Sequence, residues 1–520
     1  MTRAPLARWA LRAALALGGA LLVLWATATL GPGTEGDSSD YICAAQTFVE
    51  RGAFYDCGGT WPLIHFPPLY PVMLAIGIRC GLAPLSVARF IAAGSCAVSV
   101  LMAGAILEAM TSSLMLALLG EVLMIWVAGV SRPFLYAMTE APFDAMLLLF
   151  VWCLWRAIET DRPGWIVAAG AAAAAAALTR YIGVALLITG AGASLWLSAG
   201  RLNERIRRAA WFVAVGVTPV AMWFIRNHRA TRSVGRPVAW HPPSGFYYIV
   251  ACRIAARWIN PNSNLLKDHG FLLGLTVLMV AAALLIAIEL RSSNRLEWLL
   301  ANVILSYCAI LLLSRLLMDV TIFLNGRMLM PLALIALLLA LHAIHFQITG
   351  DRVGIRGLAL ALGLGAATMT VMVNSGSAPA LFYQSRVEGL GLTRRTFSMS
   401  DMISWTRRLD ANSPIYSDQP EPIILFADRL ADTLPELRDP RTGAPSQRYP
   451  GELAAMQKKL RDHPGAIVYF YDANTHVLDN IPLPADMPAV YRLSMTPVLN
   501  SVQGLIYQAS APARGDESPR

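Results

Sequence analysis

The sequence predicts an α-helical polytopic membrane protein of about eleven spans, followed by a small α/β soluble domain. Three observations lead there. The 520 residues are 56% apolar and only 14% charged, against about 45–50% and about 25% in an ordinary soluble domain. The apolar residues gather in repeated runs of roughly 17 to 24, the length of a membrane-crossing helix. After about residue 375 that pattern gives way to strand-like segments alternating with helical ones.

The first run, from Trp9 to Leu30, exceeds the roughly 7–15 apolar residues of a signal peptide and reads as a retained span. Further spans are expected at 85–107, 113–130, 137–157, 165–179, 181–199, 209–225, 270–289, 298–316, 328–347 and 357–374. The run 67–82, "PPLYPVMLAIGIRCGL", is short and opens on a double proline. It predicts a surface-lying or half-inserted helix. An N-terminus in the cytoplasm places the Arg-rich connections 201–210, 289–297 and 350–357 inside, as the positive-inside rule asks. Loops 31–84 and 226–269 and everything after 374 then lie outside. The strongly basic 226–269 loop runs against that rule. Either a span is miscounted, or the loop keeps a basic surface for an anionic ligand, because arginine forks match phosphate oxygens.

Residues 1–374 thus form the membrane part and 375–510 the α/β domain, with strands at 414–417, 422–427, 466–472 and 504–509 and helices at 402–410 and 450–463. The tail 511–520 has the composition of a disordered end.

The net charge of +9 comes from 42 basic and 33 acidic residues. Most of the arginines sit in short loops between apolar runs, where they serve topology and lipid headgroups, and no nucleic-acid-binding motif accompanies them. Seven cysteines show no CxxC pair and no zinc spacing. Cys43 and Cys57 share the acidic loop after the first span, and the sequence leaves open whether they pair or stay free.

That loop, "GTEGDSSDYICAAQTFVERG", carries three carboxylates within six residues. Lipid-headgroup anchors are usually Trp, Tyr, Lys or Arg, so these acids point either to helix capping or to acid–base chemistry. Asp37 reads as an N-cap with Asp40 at the third helical position, or as a general base with Asp40 as second choice. Other polar groups fall at the same side and depth: His65 in "WPLIHFPPLYP", Glu140 in "SRPFLYAMTEAPFDAML", Arg180 in "LTRYIG", Arg226 in "WFIRNHR" and Arg327 in "LNGRMLMP". A polar ring at one interface suits an enzyme acting on a lipid-borne substrate, whereas a pump places charges deep within its spans.

An acidic "GDSSDY" after the first span, "FPPLYP" about 30 residues on, then "LSVARFIAAGSCAVS", "TEAPF", "LTRYIG", "WFIRN" and "GRMLMP" together resemble the C superfamily of membrane glycosyltransferases (GT-C) over residues 8 to 375. Protein mannosyltransferases, aminoarabinose transferases and envelope galacturonosyltransferases belong to it. The resemblance implies inverting transfer of a sugar from a polyprenyl-phosphate donor on the outer face of a bacterial inner membrane. The acceptor is an envelope glycolipid, a lipid A or polysaccharide, or a protein. It also implies Asp37 as the carboxylate that takes or orients the acceptor proton. Arg180, Arg226 and Arg327, with His65 and Glu140, are the candidates that hold substrate and stabilise the leaving phosphate. The aminoarabinose branch typically has a Lys before the proline where this chain has "IHFPP", so assignment to that branch does not follow. Whether a divalent cation such as Mg²⁺ or Mn²⁺ takes part is left open. Rival readings are an O-antigen ligase or polymerase, which places its large loop between late spans, and a lipid-linked-sugar transporter or flippase.

Overall fold

A computed structural model of the chain describes residues 3–233, 238, 240–241, 245–259, 266–291, 294–318, 326–349, 376–438, 445–471 and 486–509. The expected span 357–374 and the tail 511–520 lie outside them. In chain order come α1 (Arg3–Ala26), α2 (Gly36–Arg51), α3 (Leu69–Arg79), α4 (Pro84–Thr111), α5 (Leu114–Trp126), α6 (Ala128–Ser131), α7 (Glu140–Thr160), α8 (Pro163–Thr179), α9 (Val184–Trp196), α10 (Leu202–Thr231), α11 (Gly245–Ile259), α12 (Leu266–Arg291), α13 (Arg295–Leu317) and α14 (Gly326–Thr349). Among the described residues six helices are long and apolar enough to cross a membrane, and a seventh span is formed if α5 and the segment Ala128–Leu135, bent by 71°, count as one. The expected spans at 165–179 and 181–199 are α8 and α9, which are shorter apolar helices. The short run after the double proline is α3, of 11 residues.

Small side chains let these helices approach. In α8, Ala169, Ala173, Ala176 and Ala177 are buried, and Gly170 faces the Phe212 carbonyl and Val215 of α10. Close backbone approach of this kind replaces the missing hydrophobic drive between helices in lipid. A buried ion cluster fastens α1 to α4 and α5. Arg12 is 1% exposed and Glu121 is fully buried. Arg12 donates from Nε to Glu121 (3.0 Å), from Nη1 to Glu108 (2.9 Å) and from Nη2 to the Leu101 carbonyl (2.8 Å).

The C-terminal part holds a five-stranded sheet in the order β2-β1-β3-β5-β4, with β1 (Ile415–Ser417), β2 (Asp432–Thr433), β3 (Ala466–Phe470), β4 (Met495–Ser501) and β5 (Gly504–Ala509). β2, β1 and β3 are parallel, while β5 and β4 run antiparallel. The segment 422–427, expected as a strand, is helical instead. Pro420 and Pro422 have no N–H to give a sheet, and proline suits the first turn of a helix. β4 escapes the strand pattern because Pro497 interrupts it. Proline is tolerated there because β4 is an edge strand with a register shift between Pro497 and Leu499.

Candidate active site

The loop between α1 and α2 is sewn down on both sides before its carboxylates begin. The Gly33 N–H donates to the Leu135 carbonyl at 2.8 Å, the Ala137 N–H to Gly33 at 2.7 Å, and the Leu392 N–H to Thr34 at 2.8 Å. A Cβ on Gly33 would stand 2.8 Å from Leu390 and 2.9 Å from Tyr136, so only glycine lets the three segments meet. This clamp brings Glu35 to the N-cap of α2, with extended backbone. Its N–H donates to Ser38 Oγ at 3.0 Å. The expectation of Asp37 as N-cap and Asp40 at the third position is thus corrected: Glu35 caps, and Asp37 lies within the first turn.

The centre is Arg327, at the start of α14, whose guanidinium meets three carboxylates at once. Nε donates to Glu140 Oε1 at 2.8 Å, Nη1 to Glu35 Oε2 at 3.0 Å and Nη2 to Asp37 Oδ2 at 2.8 Å. Glu140 Oε1 is shared with Arg180 Nη1 at 2.5 Å. Arg180 also donates to Thr139 Oγ1 and to Met328 Sδ, each at 3.2 Å. Burial separates the roles. The Glu140 side chain is 4% exposed and Arg180 is 10% exposed, while Glu35 and Asp37 keep 38% and 37%. Glu140, held by Arg180, therefore grips Arg327 from beneath, and Glu35 and Asp37 are the more exposed carboxylates. One turn deeper on α7, Asp144 is 1% exposed and neither of its oxygens has a hydrogen-bond partner among the described residues.

Of the other expected residues, Asp40 lies one turn after Asp37. Burial above all, then the negative charges of Asp37, Glu421 and Asp56, push its carboxyl up to about 7. Glu421 comes from the C-terminal part and also stands over Gly36. Burial likewise pushes Glu35 up, against the pull of Arg327 and Arg132. His65 is exposed on its loop. Arg226 does not join the cluster. Its Nη1 donates to the Leu63 carbonyl at 2.8 Å and its Nη2 to the Phe54 carbonyl at 3.3 Å, and it packs 4.8 Å over the Trp223 ring. It pins the 52–66 loop, which a Cys43–Cys57 disulfide closes on α2.

Beside the carboxylates opens a cavity of about 1200 Å³ lined by Glu35, Glu140 and Arg327 at its polar end, with Arg132 and Arg253. Met330, Ala333, Leu337 and Ala340 carry its wall along α14, about 15 Å of helix at 1.5 Å per residue. The volume exceeds an ordinary small-ligand pocket of about 300–1,000 Å³. Arg180 and Asp37 are not among its lining residues. Arg132 and Arg253 were not singled out from the sequence: the first precedes a proline in a quoted segment, and the second is one of many arginines in the basic loop. Among the described residues no group of three or more His, Cys, Asp or Glu side chains is placed to hold a metal ion. The carboxylates here converge on a guanidinium.

No family model matches the chain, and no curated protein matches it in sequence. Solved structures do. ArnT from Cupriavidus metallidurans, in a crystal structure bound to undecaprenyl phosphate, aligns with a TM-score of 0.60 at 14% identity, over 96% of this chain and 98% of that one. Its apo structure gives 0.59 with the same identity and coverage. Over nearly its whole length the chain thus shares the overall fold of that ArnT structure.

Proposed function

We propose that the chain is an integral membrane glycosyltransferase that moves a sugar from a polyprenyl-phosphate donor to an acceptor of the cell envelope. The observation that carries this reading is the cavity, apolar along α14 and lined as well by Glu35, Arg327, Arg132 and Arg253. An apolar wall of about 15 Å with Arg132, Arg253 and Arg327 in the same lining fits a molecule with a long hydrocarbon tail and an anionic head. The undecaprenyl phosphate held by the similar ArnT structure is a molecule of that kind. The Arg-rich connections at the other end of the helices favour a cytoplasmic N-terminus, with the site and the C-terminal part on the outer face.

In this reading Asp37 is the base. It is half-exposed, outside the cavity, and fixed by one hydrogen bond to Arg327. Its free oxygen takes the proton of an acceptor hydroxyl as that oxygen attacks the anomeric carbon, inverting it. The bond from that carbon to the phosphate oxygen breaks, and its electrons stay on the lipid phosphate. Arg327, Arg132 and Arg253 stabilise the charge that develops there. Glu140, which also lines the cavity, orients Arg327, and Arg180 holds Glu140 in place. Arg226 positions the loop that covers α2.

Transfer of radiolabelled sugar from synthetic polyprenyl-phosphate donors in membranes tests this. Wild type is expected to turn over, and Asp37→Asn to lose about 10²–10⁴-fold, the range of general-base catalysis, with donor binding kept. Equal turnover by Asp37→Asn would remove the base assignment. Absence of transfer from every such donor would overturn the glycosyltransferase reading.

A further inference from the structure

Glu35 and Asp37 hang on two nitrogens of one guanidinium, yet only Glu35 lines the cavity. Nothing in a lipid phosphate needs it there. Hydrocarbon uses the apolar wall and a phosphate uses Arg132, Arg253 and Arg327, whereas a carboxylate beside a phosphate repels it. Glu140 shares the lining, but it is buried and engaged by two arginines. Glu35 keeps 38% of its side chain exposed, and Gln384 adds an amide to the same lining. An exposed acid and an amide match what the donor still carries, the hydroxyls of its sugar. We infer that Glu35 reads the donor sugar: its carboxylate accepts hydrogen bonds from the sugar hydroxyls and selects a sugar that bears no carboxylate of its own. This inference rests on the glycosyltransferase reading and deepens it to the class of sugar.

The geometry around Glu35 supports this role. Its Oε2 pairs with Arg327 Nη1 at 3.0 Å, and the residue caps α2, where the helix dipole favours an anion. Both hold it as a carboxylate. A carboxylate accepts at about four positions and donates at none. The Arg327 bond takes one of them, and the exposed remainder suits O–H donors. A uronic acid would instead bring a second anion against Glu35, and the two would repel. Arg327 bonds both acids, so a sugar held by Glu35 stands next to the guanidinium that positions the base. A few polar groups in a mostly apolar cavity are the usual source of orientation and specificity.

The test measures binding to the full-length protein in nanodiscs. Its probes are a bare short-chain polyprenyl phosphate, its glucosyl, galactosyl and mannosyl esters, and the uronates of those sugars. Wild type is expected to bind a neutral glycosyl lipid more tightly than the matching uronate. Glu35→Ala should weaken that neutral donor about 10- to 100-fold, the worth of a hydrogen bond to a charged group. The same variant should bind the bare lipid as well as wild type or better, because an anion has left the side of the phosphate. Opposite responses of the two probes are the signature of sugar contact. Glu35→Gln keeps an acceptor at the N-cap and covers the case of a poorly folded Ala variant. It should narrow the gap between neutral sugar and uronate. Equal weakening of bare and glycosylated lipid in both variants would reduce Glu35 to a support of Arg327 and overturn the assignment, leaving the donor reading standing. A wild-type preference for a uronate would overturn it as well. No binding of any of these lipid phosphates by wild type would overturn the donor reading, and this inference with it.

Discussion

Two buried charge clusters occupy this molecule, and they differ in what they leave open. One joins Arg12 to Glu108 and Glu121, about 20 Å along α1 from the carboxylate loop at 1.5 Å per residue. Every nitrogen of the Arg12 guanidinium has an acceptor, and no residue of the cluster lines the cavity. The other joins Arg327 to Glu35, Asp37 and Glu140. It carries more than a third of two carboxylates to the surface and ends a large cavity. Intramembrane charge alone therefore does not mark a site. A paired, closed cluster fixes helices, while a paired cluster with exposed acids beside a cavity is prepared for a ligand.

Removing the central arginine from each cluster should produce opposite results, and this is the largest contrast expected. Arg327→Met leaves Glu140 still paired with Arg180, so the fold is kept, while sugar transfer falls by at least about 10²-fold for want of charge at the leaving phosphate. Arg12→Met strands Glu121 in the interior and costs about 3–5 kcal/mol, yet each folded molecule keeps its turnover. Thermal unfolding in detergent beside transfer per folded molecule reads both. Turnover lost in folded Arg12→Met would break the comparison. The pair replaced together, Arg12→Met with Glu121→Leu, sharpens it: stability should return to the wild-type value or exceed it by about 1–4 kcal/mol.

Next in size are the two fastenings of the loop over α2. Without the Cys43–Cys57 bond, which closes a sequence separation of 14, the chain-entropy model gives a loss of about 3 kcal/mol. Arg226→Met strands two loop carbonyls and should cost about 1–3 kcal/mol. Both variants should weaken transfer through loop position and respond to stabilising osmolyte. A catalytic loss in Arg226→Met that osmolyte does not restore would return Arg226 to the substrate.

What the sequence made legible follows from how local each signal is. Asp37, Glu140 and Arg327, which the structure brings together, stood out because each is a polar residue at the edge of an apolar run, in segments that resemble one superfamily. Arg226 has the same local signature and proved to hold backbone carbonyls, because the choice depends on residues 163 and 172 positions away. Glu35 was passed over in favour of Asp37 as cap. The start of α2 is set by contacts of Gly33 and Thr34 with residues near 135 and 391, which no helix-capping rule contains. Arg12 lies inside the first apolar run and was not singled out, because its partners lie 96 and 109 residues on. The bent segment after α5 and the edge strand β4 were hidden for a related reason: their irregularities are tolerated by neighbours, and their own periodicity does not announce them.

The smallest effect expected separates Asp40 from Asp37 within the same helix. Asp40 makes no ion pair among the described residues, and burial with three neighbouring carboxylates pushes its own carboxyl up to about 7. The folded chain therefore holds a proton between about pH 4 and pH 7 that the unfolded chain has released. Stability from this group is complete below about pH 4 and is lost as pH rises toward 7, the direction opposite to a salt-bridged aspartate. Asp40→Asn removes the loss, so it should match wild type near pH 4 and exceed it at pH 8, the gap growing by at most about 1.4 kcal/mol per pH unit between the two values. Unfolding temperature against pH for the two proteins measures the difference. Transfer by Asp40→Asn should stay within about threefold of wild type at neutral pH, since Asp37 and not Asp40 is held by Arg327. A drop as large as that of Asp37→Asn would make Asp40 the base, with Asp37 left to hold Arg327 in place.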